Sequence, residues 1–269
     1  MVQHLVADMN ETVDFFICGV QKSGTTALDS ILRGSPGIQM AQVKEIHHFD
    51  DEMLDWGSPN HHRLHDMFDW RVPGVLRGEA TPIYTYWPGA MERLQKYNPS
   101  AKLIVGLRHP TFRAFSHWRM ETSRGSETLP FSMAIREPGR ERIRNAPGEV
   151  HRVFSYVERG YYARQVRRML GLFSRRQIFF FRTDVLWNNP GLVSQELGRF
   201  LGVPLVPPLQ RRYVVPMASI DVNPLENDDR VYLDDHYRAD IVDTGRLIDV
   251  AVTDWLEPSY VEDISATGS

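Results

Sequence analysis

Cysteine is nearly absent: the 269 residues contain only Cys18. One thiol cannot close an internal disulfide, so this is not a disulfide-stapled secreted domain. A chain this long buries roughly three-quarters of the surface that its unfolded form exposes, and needs no such staple. Lysine is also scarce, at Lys22, Lys44, Lys96 and Lys102 beside 27 arginines. No apolar run approaches the roughly 20 residues of a membrane span. The longest runs, Phe15–Val20 and Ile178–Phe181, are strand-sized. Residues 1–12 lack a basic segment followed by an apolar one, so no signal peptide is read there. Repeats, linkers and low-complexity tracts are missing too. These absences predict a soluble, cytoplasmic protein of one domain over residues 1–269.

Hydrophobic residues make up 42% and charged residues 24%, which excludes a disordered or fibrous chain. The net charge of −3 is unevenly spread. From residue 201 onward there are 5 arginines and 13 acidic residues, whereas the first 200 residues carry a net of +5. The sequence thus divides into a core over 13–203 and an acidic, helical part over 204–269.

Periodicity predicts strands at Val13–Val20, Ile38–Gln42, Val75–Thr81, Lys102–Leu107 and Gln177–Phe181. Helices are predicted at Thr25–Arg33, Pro88–Tyr97, Pro110–Ser123, Tyr161–Phe173 and Leu192–Leu201. Two more are expected near Asp228–Val242 and Thr244–Trp255. Residues 47–74 and 137–148 read as irregular. Strands alternating with helices specify an α/β fold, a single P-loop-type domain with a parallel sheet of about five strands and helices on both faces.

Between the first strand and first helix runs Gly19-Val-Gln-Lys22-Ser-Gly24-Thr25-Thr26. Glycines let a backbone wrap an anion, and a helix N-terminus aims its free N–H groups and dipole at it. Gln21, Lys22, Ser23, Gly24, Thr25 and Thr26 are therefore the candidate anion cradle. It is not the ATP loop G-x-x-x-x-G-K-[ST], because the lysine precedes the second glycine. Nor does the best strand end in an aspartate suited to Mg²⁺; it ends in Arg108. Both points disfavour a P-loop nucleotide kinase or hydrolase, which stays as the alternative beside a non-catalytic nucleotide-binding module.

Arg108-His-Pro110-Thr-Phe-Arg113-Ala-Phe-Ser116 follows that strand. An arginine at a strand tip and a hydroxyl on the adjoining helix suit a phosphate. With Lys44-Glu45-Ile-His47-His48-Phe49-Asp50, Gly160-Tyr-Tyr162 and Phe200-Leu-Gly-Val203, the sequence resembles sulfotransferases that use 3′-phosphoadenosine 5′-phosphosulfate (PAPS), in particular the heparan sulfate N- and 3-O-sulfotransferase branch and its bacterial relatives. The resemblance spans about residues 13–203.

It implies in-line transfer of a sulfuryl group from PAPS to a hydroxyl or amine, releasing 3′-phosphoadenosine 5′-phosphate (PAP) and requiring no metal. Glu45 is the expected general base, with His47 and His48 as rivals, and Lys22 is expected at the leaving phosphate. The first loop would hold the 5′-phosphosulfate. Arg108 and Ser116 would hold the 3′-phosphate, and Tyr162 would also contact the nucleotide. Two departures stand out: Glu79-Ala80-Thr81-Pro82 has alanine where that branch has lysine, and only Arg211 and Arg212 could replace its late nucleotide-binding loop.

His61, His62 and His65 offer a superficial metal site, which is not expected to bind. Residues 44–70, the expected acceptor wall, carry two basic and seven acidic residues with Phe49, Trp56, Phe68 and Trp70. That field predicts a neutral, partly apolar small-molecule, lipid or carrier-bound acceptor rather than a polyanion. Nucleic acid is not expected as a partner, and the arginines of 161–173 read as a solvated face.

Overall fold

The computed structural model describes residues 11–207 and 224–262. In chain order its elements are β1 (Phe15–Gly19), α1 (Thr25–Arg33), β2 (Ile38–Met40), α2 (His62–His65), β3 (Leu76–Ala80), α3 (Ala90–Tyr97), β4 (Lys102–Leu107), α4 (Pro110–Ser123), α5 (Phe131–Ala134) and α6 (Glu137–Arg144). There follow α7 (Tyr162–Leu172), β5 (Ile178–Arg182), α8 (Thr183–Asn188), α9 (Pro190–Leu201) and α10 (Asn227–Leu247). The five strands form one parallel sheet in the order β2-β3-β1-β4-β5.

Side-chain alternation in β1 shows why both sheet faces must be covered. Phe15 and Ile17 join Ile104, Phe181, Leu28 and Leu197 on the side of α1 and α9. Phe16 and Cys18 join Leu103, Val105, Leu94, Val166 and Ile241 on the side of α3, α7 and α10. Gly78 gives the Phe15 ring its room, since a Cβ there would lie 2.1 Å from that ring.

Two sequence expectations need correction. Residues 137–148 read as irregular from the sequence, yet α6 occupies Glu137–Arg144. Pro138 falls in the first turn, where its missing N–H is no loss. Gly139 lets the helix press against the Ala134 carbonyl. The two C-terminal helices are instead one, α10, running through Thr244-Gly245. Buried Thr244 and the lack of a side chain at Gly245, which faces Val252, allow that continuation. A short 3-10 turn, Thr253–Leu256, follows.

Candidate active site

Strand order reverses between β1 and β4, so their carboxyl ends form the crevice in which open α/β sheets bind ligands. The loop leaving β1 is drawn tight there. The Val20 amide donates to the Gly106 carbonyl (2.9 Å), and the Ser23 amide and hydroxyl both return to the Val20 carbonyl (3.2 and 2.6 Å). Gly24, at φ +79°, turns the chain into α1. Thr25 is buried and Thr26 exposed at the start of that helix, whose first amides lack intrahelical partners. The Gln21 carboxamide oxygen accepts from buried Arg159.

Lys22 sits in the left-handed region at φ +75°, with Nζ 3.6 Å from the Met120 sulfur on α4. Burial, followed by the neighbouring Arg108 and Arg124 charges, lowers its pKa to about 8. A counter-anion would relieve that strain on the ammonium.

Arg108 ties the second motif to the first, because its Nη1 donates to the Lys22 carbonyl (3.2 Å). Its guanidinium lies over the Trp187 ring at 5.0 Å and grips the Glu262 carboxylate through Nε (2.8 Å) and Nη2 (2.6 Å). An anion is therefore already seated on this arginine, which is the fit a phosphate ligand requires. Ser116 is half-buried on α4. Tyr162 is buried and donates its hydroxyl to the Arg108 carbonyl (2.7 Å), so it fixes the arginine's backbone. Arg211 and Arg212 lie outside the described residues.

Beside the loop opens a cleft of about 510 Å³, whose lining includes Gln21, Glu45, His47, Asp51, Arg63 and Arg124. Glu45 and His47 stand at φ +63° and +55°. The Glu45 amide donates to the Ala80 carbonyl (2.9 Å), which holds this turn against β3. Lys44 Nζ lies 2.6 Å from Glu45 Oε1, and His47 Nε2 lies 3.8 Å from Glu45 Oε2. The other ring nitrogen of His47 meets Asp50 Oδ2 at 2.9 Å. Arg152, from the 3-10-rich segment before α7, clamps Asp50 from outside. The Asp50 hydrogen bond is the largest influence on His47 and raises its pKa. Burial alone would raise the Asp50 pKa, but the bonds from His47 and Arg152 outweigh it and leave that carboxyl below its ordinary value.

The two neighbouring histidines part company. His47 lines the cleft, whereas His48 is fully buried with Nε2 2.8 Å from His61 Nδ1, and burial lowers its pKa to about 4. His65 is bonded to the Tyr97 hydroxyl (2.9 Å). No group of three His, Cys, Asp or Glu able to hold a metal occurs among the described residues. Sequence reading missed Asp50 as a functional residue although it stands three positions after His47; Arg152 and Glu262 gave no local signal at all.

The expected acceptor wall differs as well. Phe49, Trp56, Phe68 and Trp70 pack into the core around Tyr97 and His48 rather than lining the cleft. Its acids are largely answered by arginines: Asp50 by Arg152, Asp51 by Arg63, Glu52 by Arg93 and Asp69 by Arg71. The premise of an unpaired acidic field does not hold.

A parallel sheet that gathers a glycine-containing loop, a half-buried lysine and a strand-tip arginine at its switch point is an α/β domain with a cationic cluster at the carboxyl ends of its central strands. The chain belongs to the sulfotransferase family, whose domain matches residues 12–222. Human heparan sulfate glucosamine 3-O-sulfotransferase 3B1 is 30% identical over 194 residues, covering 70% of this chain and 45% of that protein. Heparan sulfate glucosamine 3-O-sulfotransferase 6 of Mus musculus is 31% identical over 193 residues, covering 70% of this chain and 51% of its own length. The chain thus spans about half the length of the curated relatives it matches. A crystal structure of a sulfotransferase from Alicyclobacillus acidocaldarius matches with a TM-score of 0.74 at 28% identity, covering 91% of this chain and 98% of that one. Among the described residues no helix is long and apolar enough to cross a membrane.

Proposed function

We propose that this domain transfers a sulfuryl group from PAPS to a hydroxyl or amine of a small-molecule, lipid or carrier-bound acceptor. The observation that carries the reading is the meeting, at the carboxyl ends of the strands, of the Gly19–Thr26 loop joined to Arg108 and the cleft lined by Glu45 and His47. When bound, PAPS supplies the sulfuryl group and a phosphate leaving group. Glu45 takes the proton from the acceptor, through the carboxylate oxygen that Lys44 leaves free. His47, held by Asp50 and Arg152, supports that carboxylate and is the second candidate for proton transfer. Lys22 supplies positive charge for the leaving phosphate, and Arg108 with Ser116 holds the 3′-phosphate.

The cleft lining balances Glu45, Asp51 and Glu121 against Arg63, Arg124 and Arg152, which supports a small polar acceptor group. The test is thermal shift with adenosine 3′,5′-bisphosphate against ATP, with and without chelator. Stabilisation by the bisphosphate, unaffected by chelator, is expected. A Mg²⁺-dependent ATP response with none to the bisphosphate overturns the reading in favour of a kinase or hydrolase.

A further inference from the structure

The acidic C-terminal part returns to the candidate nucleotide site. After α10 the chain docks beside Arg108 through several contacts. The Trp255 carbonyl lies 3.1 Å from His109 Nε2, and Arg230 on α10 donates to the carbonyls of Pro258 (2.9 Å) and Tyr260 (2.6 Å). The Tyr260 ring stacks on His109, with centroids 5.0 Å apart and planes 15° from parallel. Two residues later Glu262 reaches Arg108. The side chains of this pair are only 11% and 5% exposed, so water screens the contact little.

Charge makes the contact more than a surface pair. Lys22, Arg108, Arg113 and Arg124 lie close enough together for the other three to repel the Lys22 ammonium. Arg113 is fully buried, and the one described hydrogen bond of its side chain is to the Tyr156 carbonyl. Glu262 brings a negative charge into this cationic cluster. A carboxylate and a phosphate present the same pair of acceptor oxygens to a guanidinium fork. The Nε–Nη2 edge of Arg108 is filled by Glu262, and Nη1 is engaged by the Lys22 carbonyl.

We propose that Glu262 is an internal competitor for the anion site at Arg108, and that its carboxylate must leave the guanidinium fork before a nucleotide 3′-phosphate can take it. The inference rests on the reading of Arg108 as the 3′-phosphate ligand. It gives the C-terminal segment a regulatory task, since whatever draws the segment away opens the site. The apparent affinity for a 3′-phosphate is then the intrinsic affinity multiplied by the open fraction. A ligand without that phosphate does not compete with Glu262.

The experiment is calorimetric titration of the full chain and of Glu262→Gln with adenosine 3′,5′-bisphosphate and with adenosine 5′-monophosphate. Glu262→Gln should bind the bisphosphate about tenfold more tightly, as for a fork open in about one molecule in ten, and the monophosphate unchanged. In the unmutated chain, hydrogen exchange of residues 258–262 should accelerate on adding the bisphosphate. This arm needs no variant to fold. Equal or weaker bisphosphate binding by Glu262→Gln, or increased protection of 258–262, overturns the competition while a preference for bisphosphate over monophosphate keeps the nucleotide reading standing. Loss of that preference in both proteins overturns the two together.

Discussion

Lys44 Nζ sits 2.6 Å from one carboxylate oxygen of Glu45, the residue that follows it. His47 approaches the other oxygen at 3.8 Å. Neighbouring residues seldom pair this way on a regular strand, because successive side chains point to opposite faces. Here the backbone is turned out of the strand conformation: Glu45 and His47 both have positive φ, as does Lys22. Three of the four non-glycine residues with positive φ among the described residues are thus the three proposed catalytic groups. Such conformations cost of order 1–3 kcal/mol each and persist where the surroundings enforce them. The hydrogen bond that the Glu45 amide donates to the Ala80 carbonyl is one of those restraints.

The general-base assignment predicts that Glu45→Gln lowers kcat by about 10²–10⁴-fold while adenosine 3′,5′-bisphosphate binds as before. Lys44→Met should cost on the order of tenfold in kcat by releasing the carboxylate from its held position. Steady-state kinetics with paired binding measurements checks both. Retained turnover in Glu45→Gln would move the role to His47.

His47 gives a pH signature through its bond to Asp50. Its pKa is raised in the folded protein, so the contact's stabilising effect is complete below the unfolded value of about 6.5 and disappears as pH rises through the higher folded value. NMR titration of the ring in Asp50→Asn should show the pKa dropping toward the ordinary range. An unchanged titration would exclude Asp50 as its cause.

Lys22 should couple nucleotide binding to pH from the alkaline side. Its pKa is lowered to about 8 by burial and by Arg108, so the ammonium is lost as pH rises through that value. Bisphosphate affinity of the unmutated chain is expected to fall above about pH 8, whereas Lys22→Arg, whose guanidinium stays charged, should flatten the curve. The same midpoint in both proteins would show that another group controls binding.

Glu79 predicts a stability effect separate from turnover. It is fully buried on β3 beside Thr81, and burial raises its pKa to about 7. Well below pH 4.5 the carboxyl is neutral in both folded and unfolded chains, and no penalty arises. As pH climbs the unfolded form ionises first, so stability falls, by about 3 kcal/mol once pH exceeds 7. Glu79→Gln should remove this slope from a melting-temperature profile between pH 4.5 and 8. A slope identical to that of the unmutated chain would show that Glu79 does not titrate in this range.

How much of this was legible depended on how far apart the partners lie in sequence. Strands β1, β4 and β5 announced themselves as short apolar runs, and α4 through Pro110 following a strand. The loop at Lys22, Arg108 and the Glu45–His47 pair were each carried by local motifs. Asp50 and Arg152, by contrast, stand 102 residues apart, and Arg108 and Glu262 stand 154 apart. No local pattern encodes such pairings, because the fold alone brings those charges together. The same limit misjudged the acceptor wall, whose acids looked unpaired until arginines from other segments were placed against them.

Two glycines inside helices yield a paired prediction. Gly139 and Gly171 both lie within helices, α6 and α7, where glycine costs about 1 kcal/mol relative to alanine. Their surroundings are opposite. A Cβ at Gly139 would lie 2.1 Å from the Ala134 carbonyl oxygen, in backbone that cannot swing aside, whereas nothing stands within 4 Å of one at Gly171. Gly139→Ala should therefore destabilise the fold by about 1–3 kcal/mol through overpacking between α5 and α6. Gly171→Ala should stabilise it by about 0.4–1 kcal/mol, since only the unfolded chain loses freedom. Urea unfolding of the two variants decides the matter. Equal shifts of one sign would mean that helix propensity, and not the close approach at Ala134, explains glycine at position 139.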